Sequence, residues 1–213
     1  MFALGGIFSN NVLLGLPIAK LTLGQAALPS VTLVLVFNSL TLWTLASVSV
    51  EWARQGSFTI RGFGKTALSV ITNPVVAAII AGTLFGLSGL ALPPAIDVAL
   101  SGVAQLAAPA ALLVLGMGLA EYGIHREWAQ SVAVCALKLL IQPLVVWALA
   151  AALGLPPMET QVVVLLASMA VGANVYLMAV QFQTLQGTIA NSLVLSTALA
   201  ALSTPILLSV LKP

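Results

Sequence analysis

Apolar residues fall in blocks of about 20, the length needed to cross a bilayer as a helix. The blocks run near 1–19, 28–50, 66–88, 98–120, 129–153, 160–182 and 188–211. Short stretches bearing Gly or Pro separate them, among them TLGQAALPS, LSGLALPP, LGLPPME and QTLQGT. Strands of a membrane barrel would alternate polar and apolar residues, and these blocks do not. The pattern predicts an all-α integral membrane protein with about seven transmembrane helices.

Composition agrees with the pattern. The 213 residues are 61% hydrophobic and 6% charged, against roughly 25% charged in soluble domains. Such a chain cannot cover its own surface in water, so the lipid bilayer is its expected surroundings. A net charge of +2 gives no reason to expect nucleic acid, and a single cysteine, Cys135, leaves no disulfide framework. Met1 leads straight into apolar sequence with no basic segment before it, so 1–19 reads as a span rather than a cleaved leader.

Charge orients the spans. Loops 51–65, 121–128 and 183–187 share one side and carry Arg54, Arg61, Lys65 and Arg126; the other side has only Lys20 and Lys212. Cytoplasmic loops are enriched in Lys and Arg. Loop 51–65 is therefore expected in the cytoplasm and the C-terminus outside, in a cell membrane.

Two spans are interrupted. In FSNNVLLGLPIA the residues Asn10, Asn11, Gly15 and Pro17 break the first; in SMAVGANVYLMA Gly172 and Asn174 break the sixth. Glycine costs a helix interior about 1 kcal/mol and proline about 3. Paired interruptions in corresponding spans point to the midplane site of a secondary transporter, because half-helix ends leave free N–H and C=O groups there. Each broken span is followed by one more span. If each repeat has five spans with the fourth broken, 66–213 holds a complete second repeat. Residues 1–50 are then the last two spans of an inverted first repeat, 51–65 is the linker, and three spans are expected before Met1.

These segments resemble the auxin efflux carrier family of membrane transporters. The resemblance rests on Ser9-Asn10-Asn11-Val12-Leu13-Leu14-Gly15-Leu16-Pro17-Ile18 and on Ala167-Ser168-Met169-Ala170-Val171-Gly172-Ala173-Asn174-Val175-Tyr176. Asn73-Pro74, Pro109, Lys138 before Pro143, Ser196-Thr197 and Thr204-Pro205 follow in family order. It implies ten helices as two inverted five-helix repeats, related to the bile acid sodium symporters. In that fold two broken helices cross in a mobile domain that moves, elevator fashion, against a scaffold. It further implies a secondary transporter of small organic anions, such as auxin-like acids or dicarboxylates. A second copy joined through the scaffold is an expected partner. Ala170 stands where the family has proline and Val171 where a polar residue is common, so the second break is expected to rest on Gly172 and Asn174.

The expected crossover site comprises Asn10, Asn11, Gly15 and Pro17 with Gly172, Ala173, Asn174 and Tyr176. Lys138, Gln142, Ser196 and Thr197 are supporting polar residues. Lys138 lies about 13 Å into its span, where a lysine is a functional candidate by default. Pairing with a substrate carboxylate, satisfaction of half-helix carbonyls, and snorkelling to the cytoplasm all remain open for it. Serines on the last span (Ser192, Ser196, Ser203) are read first as bonding their own helix backbone, and Asn191 is placed at headgroup level. No cofactor is expected; coupling to a proton, to sodium or to neither is left open. The alternative reading is a non-transporting fragment or subunit that needs a partner supplying three helices. Gly86-Leu87-Ser88-Gly89 spells an intramembrane protease pattern, but His125, the available base, lies about 30 Å away across the membrane. No enzyme is expected, and no metal-ligand motif is present.

Overall fold

Prolines set many of the helix starts, because a missing N–H costs nothing in a first turn. The structure, a computed structural model, describes residues 1–55, 74–120 and 127–211. Its helices are α1 (Phe2–Ile7), α2 (Leu16–Leu23), α3 (Leu28–Gln55), α4 (Pro74–Leu87), α5 (Pro94–Ala120), α6 (Trp128–Ala136), α7 (Gln142–Ala152), α8 (Pro157–Ala167), α9 (Ala173–Gln181) and α10 (Gln186–Leu211). π-helical turns at Asn11–Gly15 and Leu137–Ile141 lead into α2 and α7. Each is followed two residues later by a proline, Pro17 or Pro143. Proline lacks an N–H and crowds the preceding turn, and the wider π turn takes up that misfit.

The described residues are all-helical apart from turns and one isolated antiparallel bridge, Ser9 with Val171. Among the described residues three helical stretches are long and apolar enough to cross a membrane: Gln25–Ala46, Trp128–Ala152 and Gln186–Leu211. Shorter apolar helices cover Asn11–Leu23, Pro94–Ala107 and Pro157–Ala167. The first and sixth blocks are thus each divided into two helices, α1 with the Asn11–Leu23 helix, and α8 with α9. Helix α3 continues to Gln55, so the start of the predicted loop 51–65 is helical. The rest of that loop lies outside the described residues, as do the first part of the third block, His125, Arg126 and Lys212.

The chain divides into two units, Met1–Leu35 with Gly118–Pro213, and Val36–Met117. In the first unit Ala19, Ala27, Val31, Val162, Leu165, Leu166 and Met169 form a buried cluster that ties α2 and the start of α3 to α8. Helix α6 packs on α10 and on α1, and α7 on α8. Many large apolar side chains nevertheless face outward, including Leu140, Leu144 and Leu149 on the α6–α7 helix. A hydrocarbon environment accommodates that surface, which water would not. In the second unit α4 and α5 expose Leu84, Leu87, Leu100 and Leu106 in the same way.

A crossing of two broken helices

The two interruptions meet. Between α1 and the first π turn, and around Val171 between α8 and α9, the chain leaves the helix and the two segments pair antiparallel. Asn10 N donates to the Ala170 carbonyl at 2.9 Å, and Gly172 N to the Phe8 carbonyl at 2.8 Å. This short bridge partners backbone groups that lipid would leave unpaired. Val171 N finds a third partner, Ser196 Oγ on α10, at 3.0 Å. Close approach explains the two glycines. A Cβ on Gly172 would lie 2.8 Å from Phe8 Cδ1 and 3.1 Å from the Ser9 carbonyl oxygen; one on Gly15 would lie 2.7 Å from Leu166 Cδ2.

Lys138 and Gln142 serve the C-terminal ends of the half-helices. Lys138 sits on the second π turn and is fully buried. Its ammonium donates to the Ala167 carbonyl at 2.6 Å, to Ser9 Oγ at 2.7 Å, and to Gln142 Oε1. Gln142 Nε2 donates onward to the Ile7 carbonyl at 2.8 Å. Ala167 is the last residue of α8 and Ile7 the last of α1. A helix C-terminus carries roughly half a negative charge, so one cation and its amide neighbour neutralise both ends. Snorkelling is overturned for this lysine: every acceptor it reaches is inside the fold.

The N-terminal ends carry no such complement from their own sequence. Neither the Asn11–Gly15 turn nor α9 has an acidic residue in its first turn. The first amides of a helix have no acceptor within it. Asn10 and Asn11 are buried beside the first of these ends, and Asn11 Oδ1 has no hydrogen-bond partner. Ala173 and Asn174 lie half-buried in the first turn of α9, with Tyr176 buried one turn in.

The structure brings most of the expected residues to one place, with three differences of detail. Pro17 lies in the first turn of α2, beyond the break itself. The second break spans Ser168–Gly172, so Ala170 takes part through its carbonyl without being proline. Thr197 returns its hydroxyl to the Leu193 carbonyl at 2.7 Å, whereas its neighbour Ser196 accepts from the bridge. Ser9 is the residue that sequence reasoning passed over; its position directly before two asparagines in the break was the available signal. Asn191 is buried rather than set among headgroups.

A second polar seam joins α6 to α10. Ser131 Oγ donates to the Thr188 carbonyl at 3.2 Å, Cys135 Sγ to the Ser192 carbonyl at 3.5 Å, and Ser192 Oγ, which also bonds the Thr188 carbonyl of its own helix, to the Ser131 carbonyl at 3.5 Å. Small polar residues that bond backbone in this way let membrane helices pack closely. Ser88, of the protease-like pattern, gives its hydroxyl to the Phe85 carbonyl at 2.6 Å. Among the described residues no group of three or more His, Cys, Asp and Glu side chains could hold a metal ion.

Comparison with known proteins places the chain among membrane transport proteins. A family profile described as "Membrane transport protein" matches residues 2–208. A protein of Rhizobium meliloti (strain 1021) named "Putative malonate transporter" is 25% identical over 206 residues, covering 94% of this chain. The chain spans 63% of that relative's length.

Proposed function

Because the chain belongs to the membrane transport protein family, that of the auxin efflux carriers, we propose that it carries small organic anions across the membrane as a secondary transporter. The observation that carries the reading is the charge asymmetry of the crossing. Both C-terminal half-helix ends have a cationic or amide complement within the chain, while the two N-terminal ends have no acid in their first turns. Half-helix N-termini are the groups that receive anionic substrates in transporters of this architecture. A carboxylate received there would have Asn10, Asn11 and Asn174 as its polar neighbours. The relative's name makes malonate and similar dicarboxylates the first substrates to try, and auxin-like acids the second. Movement of the crossing unit against a scaffold, with alternating access to the anion, is the proposed mechanism.

Uptake of radiolabelled malonate into proteoliposomes, with other carboxylates as competitors, tests the reading. Saturable flux is expected, reduced in Asn10→Ala and Asn174→Ala while membrane insertion stays normal. Absence of flux for every carboxylate tried, or full flux in both variants, would overturn it.

A second reading is a non-transporting fragment, or a subunit that transports only with a partner supplying three further helices. It predicts no flux from the chain reconstituted alone, and flux when that partner is present.

A further inference from the structure

Four oxygens link the two half-helix C-termini through Lys138 and Gln142: Ser9 Oγ, the Ala167 carbonyl, Gln142 Oε1 and the Ile7 carbonyl. The first three accept from Lys138, and the fourth from Gln142 Nε2. The Ile7 bond fixes which end of the Gln142 amide faces the lysine, since only its nitrogen can donate. All four oxygens belong to neutral groups, and two end helices whose dipoles concentrate negative potential there. Neutral hydroxyl, amide and carbonyl oxygens at unwound helix ends form the kind of set that binds a hard monovalent cation in membrane transporters. Here the chain supplies that cation itself.

An ammonium has three donors and no acceptor. All three are taken by oxygens of the chain, and Lys138 is 0% exposed. No donor is left for a substrate carboxylate, so the arrangement separates the lysine from the anion proposed at the opposite helix ends. We propose that Lys138 is a tethered cation occupying a monovalent-cation site at the crossing, so that this site takes no sodium and transport is not driven through it by sodium. The proposal deepens the transport reading and rests on it only for the consequence to flux. Its test reads cation binding directly, so failure of one is distinguishable from failure of the other.

The purified full chain in detergent is compared in sodium chloride and in choline chloride at equal ionic strength, as wild type, Lys138→Ala and Lys138→Met. A cation that binds only the folded protein raises its unfolding temperature. Wild type is expected to unfold at the same temperature in both salts. Lys138→Ala, which frees the oxygens and the space, is expected to unfold several degrees lower in choline and to recover with rising sodium. Lys138→Met fills the space without a charge and is expected to be destabilised in both salts alike. Sodium-specific stabilisation of the wild type overturns the proposal, and so does a folded Lys138→Ala indifferent to sodium. Should Lys138→Ala fail to fold, binding of radioactive sodium to the wild type decides: none supports the proposal, and saturable binding overturns it.

Discussion

The Ala167 carbonyl lies 2.6 Å from Lys138 Nζ, across 29 residues of sequence. The bond ties the C-terminal end of α8 to the α6–α7 helix, and Gln142 ties the end of α1 to the same helix at one turn's distance. The π turn and the first residue of α7 therefore present one side chain each to the two helix ends. The turn is itself a consequence of Pro143, so a local backbone defect positions the group that holds the crossing together.

That arrangement predicts the cost of losing the charge. Lys138→Met keeps most of the side-chain volume but leaves the Ala167 carbonyl and Ser9 hydroxyl without their donor. Each buried polar group left unsatisfied costs about 1–3 kcal/mol. Unfolding in detergent is expected to show a loss of about 2 kcal/mol or more. A variant as stable as wild type would mean that the three bonds contribute nothing.

Gly172→Ala is expected to destabilise the bridge by about 1–3 kcal/mol, the usual penalty of overpacking. The new Cβ meets the Ser9 and Phe8 carbonyl oxygens at 3.1 and 3.2 Å, and backbone cannot turn away as a side chain can. Gly82→Ala is the control. Nothing lies within 4 Å of its Cβ position on α4, so the better helix former should be neutral or stabilising by up to about 1 kcal/mol. Thermal unfolding of the two variants should shift in opposite directions, or for Gly172→Ala alone.

Adjacent hydroxyls on α10 should behave differently. Ser196→Ala strips the acceptor from the buried Val171 N–H, at a cost of about 1–3 kcal/mol. Thr197→Val removes only a bond to its own helix, and a change within about 0.5 kcal/mol is expected. Equal effects in an unfolding assay would show that Ser196 does not hold the bridge.

The contrast between Ser196 and Thr197 marks where sequence reading ends. Apolar blocks and their interruptions gave an all-helical membrane protein with two broken helices, because hydrocarbon thickness and glycine or proline chemistry act locally. The polarity of Lys138 and Gln142 was legible too, from their spacing on one helix face. Their partners were not. Ser9, Ile7 and Ala167 come to them only through the pairing of segments about 160 residues apart, such as Ser9 with Val171. Two of these acceptors are backbone carbonyls, which no side-chain pattern can announce.

Asn11→Asp sets the anion reading against its opposite. The substitution changes one amide for a carboxyl of nearly the same shape at the N-terminal end of the first π turn, where Asn11 is 5% exposed and its Oδ1 unpartnered. If that end receives a substrate carboxylate, the introduced charge opposes it. Two like charges about 4 Å apart repel by about 4 kcal/mol at an effective dielectric of 20, more than a hundredfold in affinity at about 1.4 kcal/mol per tenfold. Malonate uptake by the variant should therefore collapse, or need far higher concentrations, while the amount in the membrane stays near that of wild type. Asn11→Ala, which adds no charge, should lose much less. If the site instead received a cation, the aspartate would strengthen binding, and flux at low substrate would rise. Uptake measured as a function of malonate concentration in the three proteins separates these outcomes, and undiminished uptake by Asn11→Asp would remove the anion from this end of the helix.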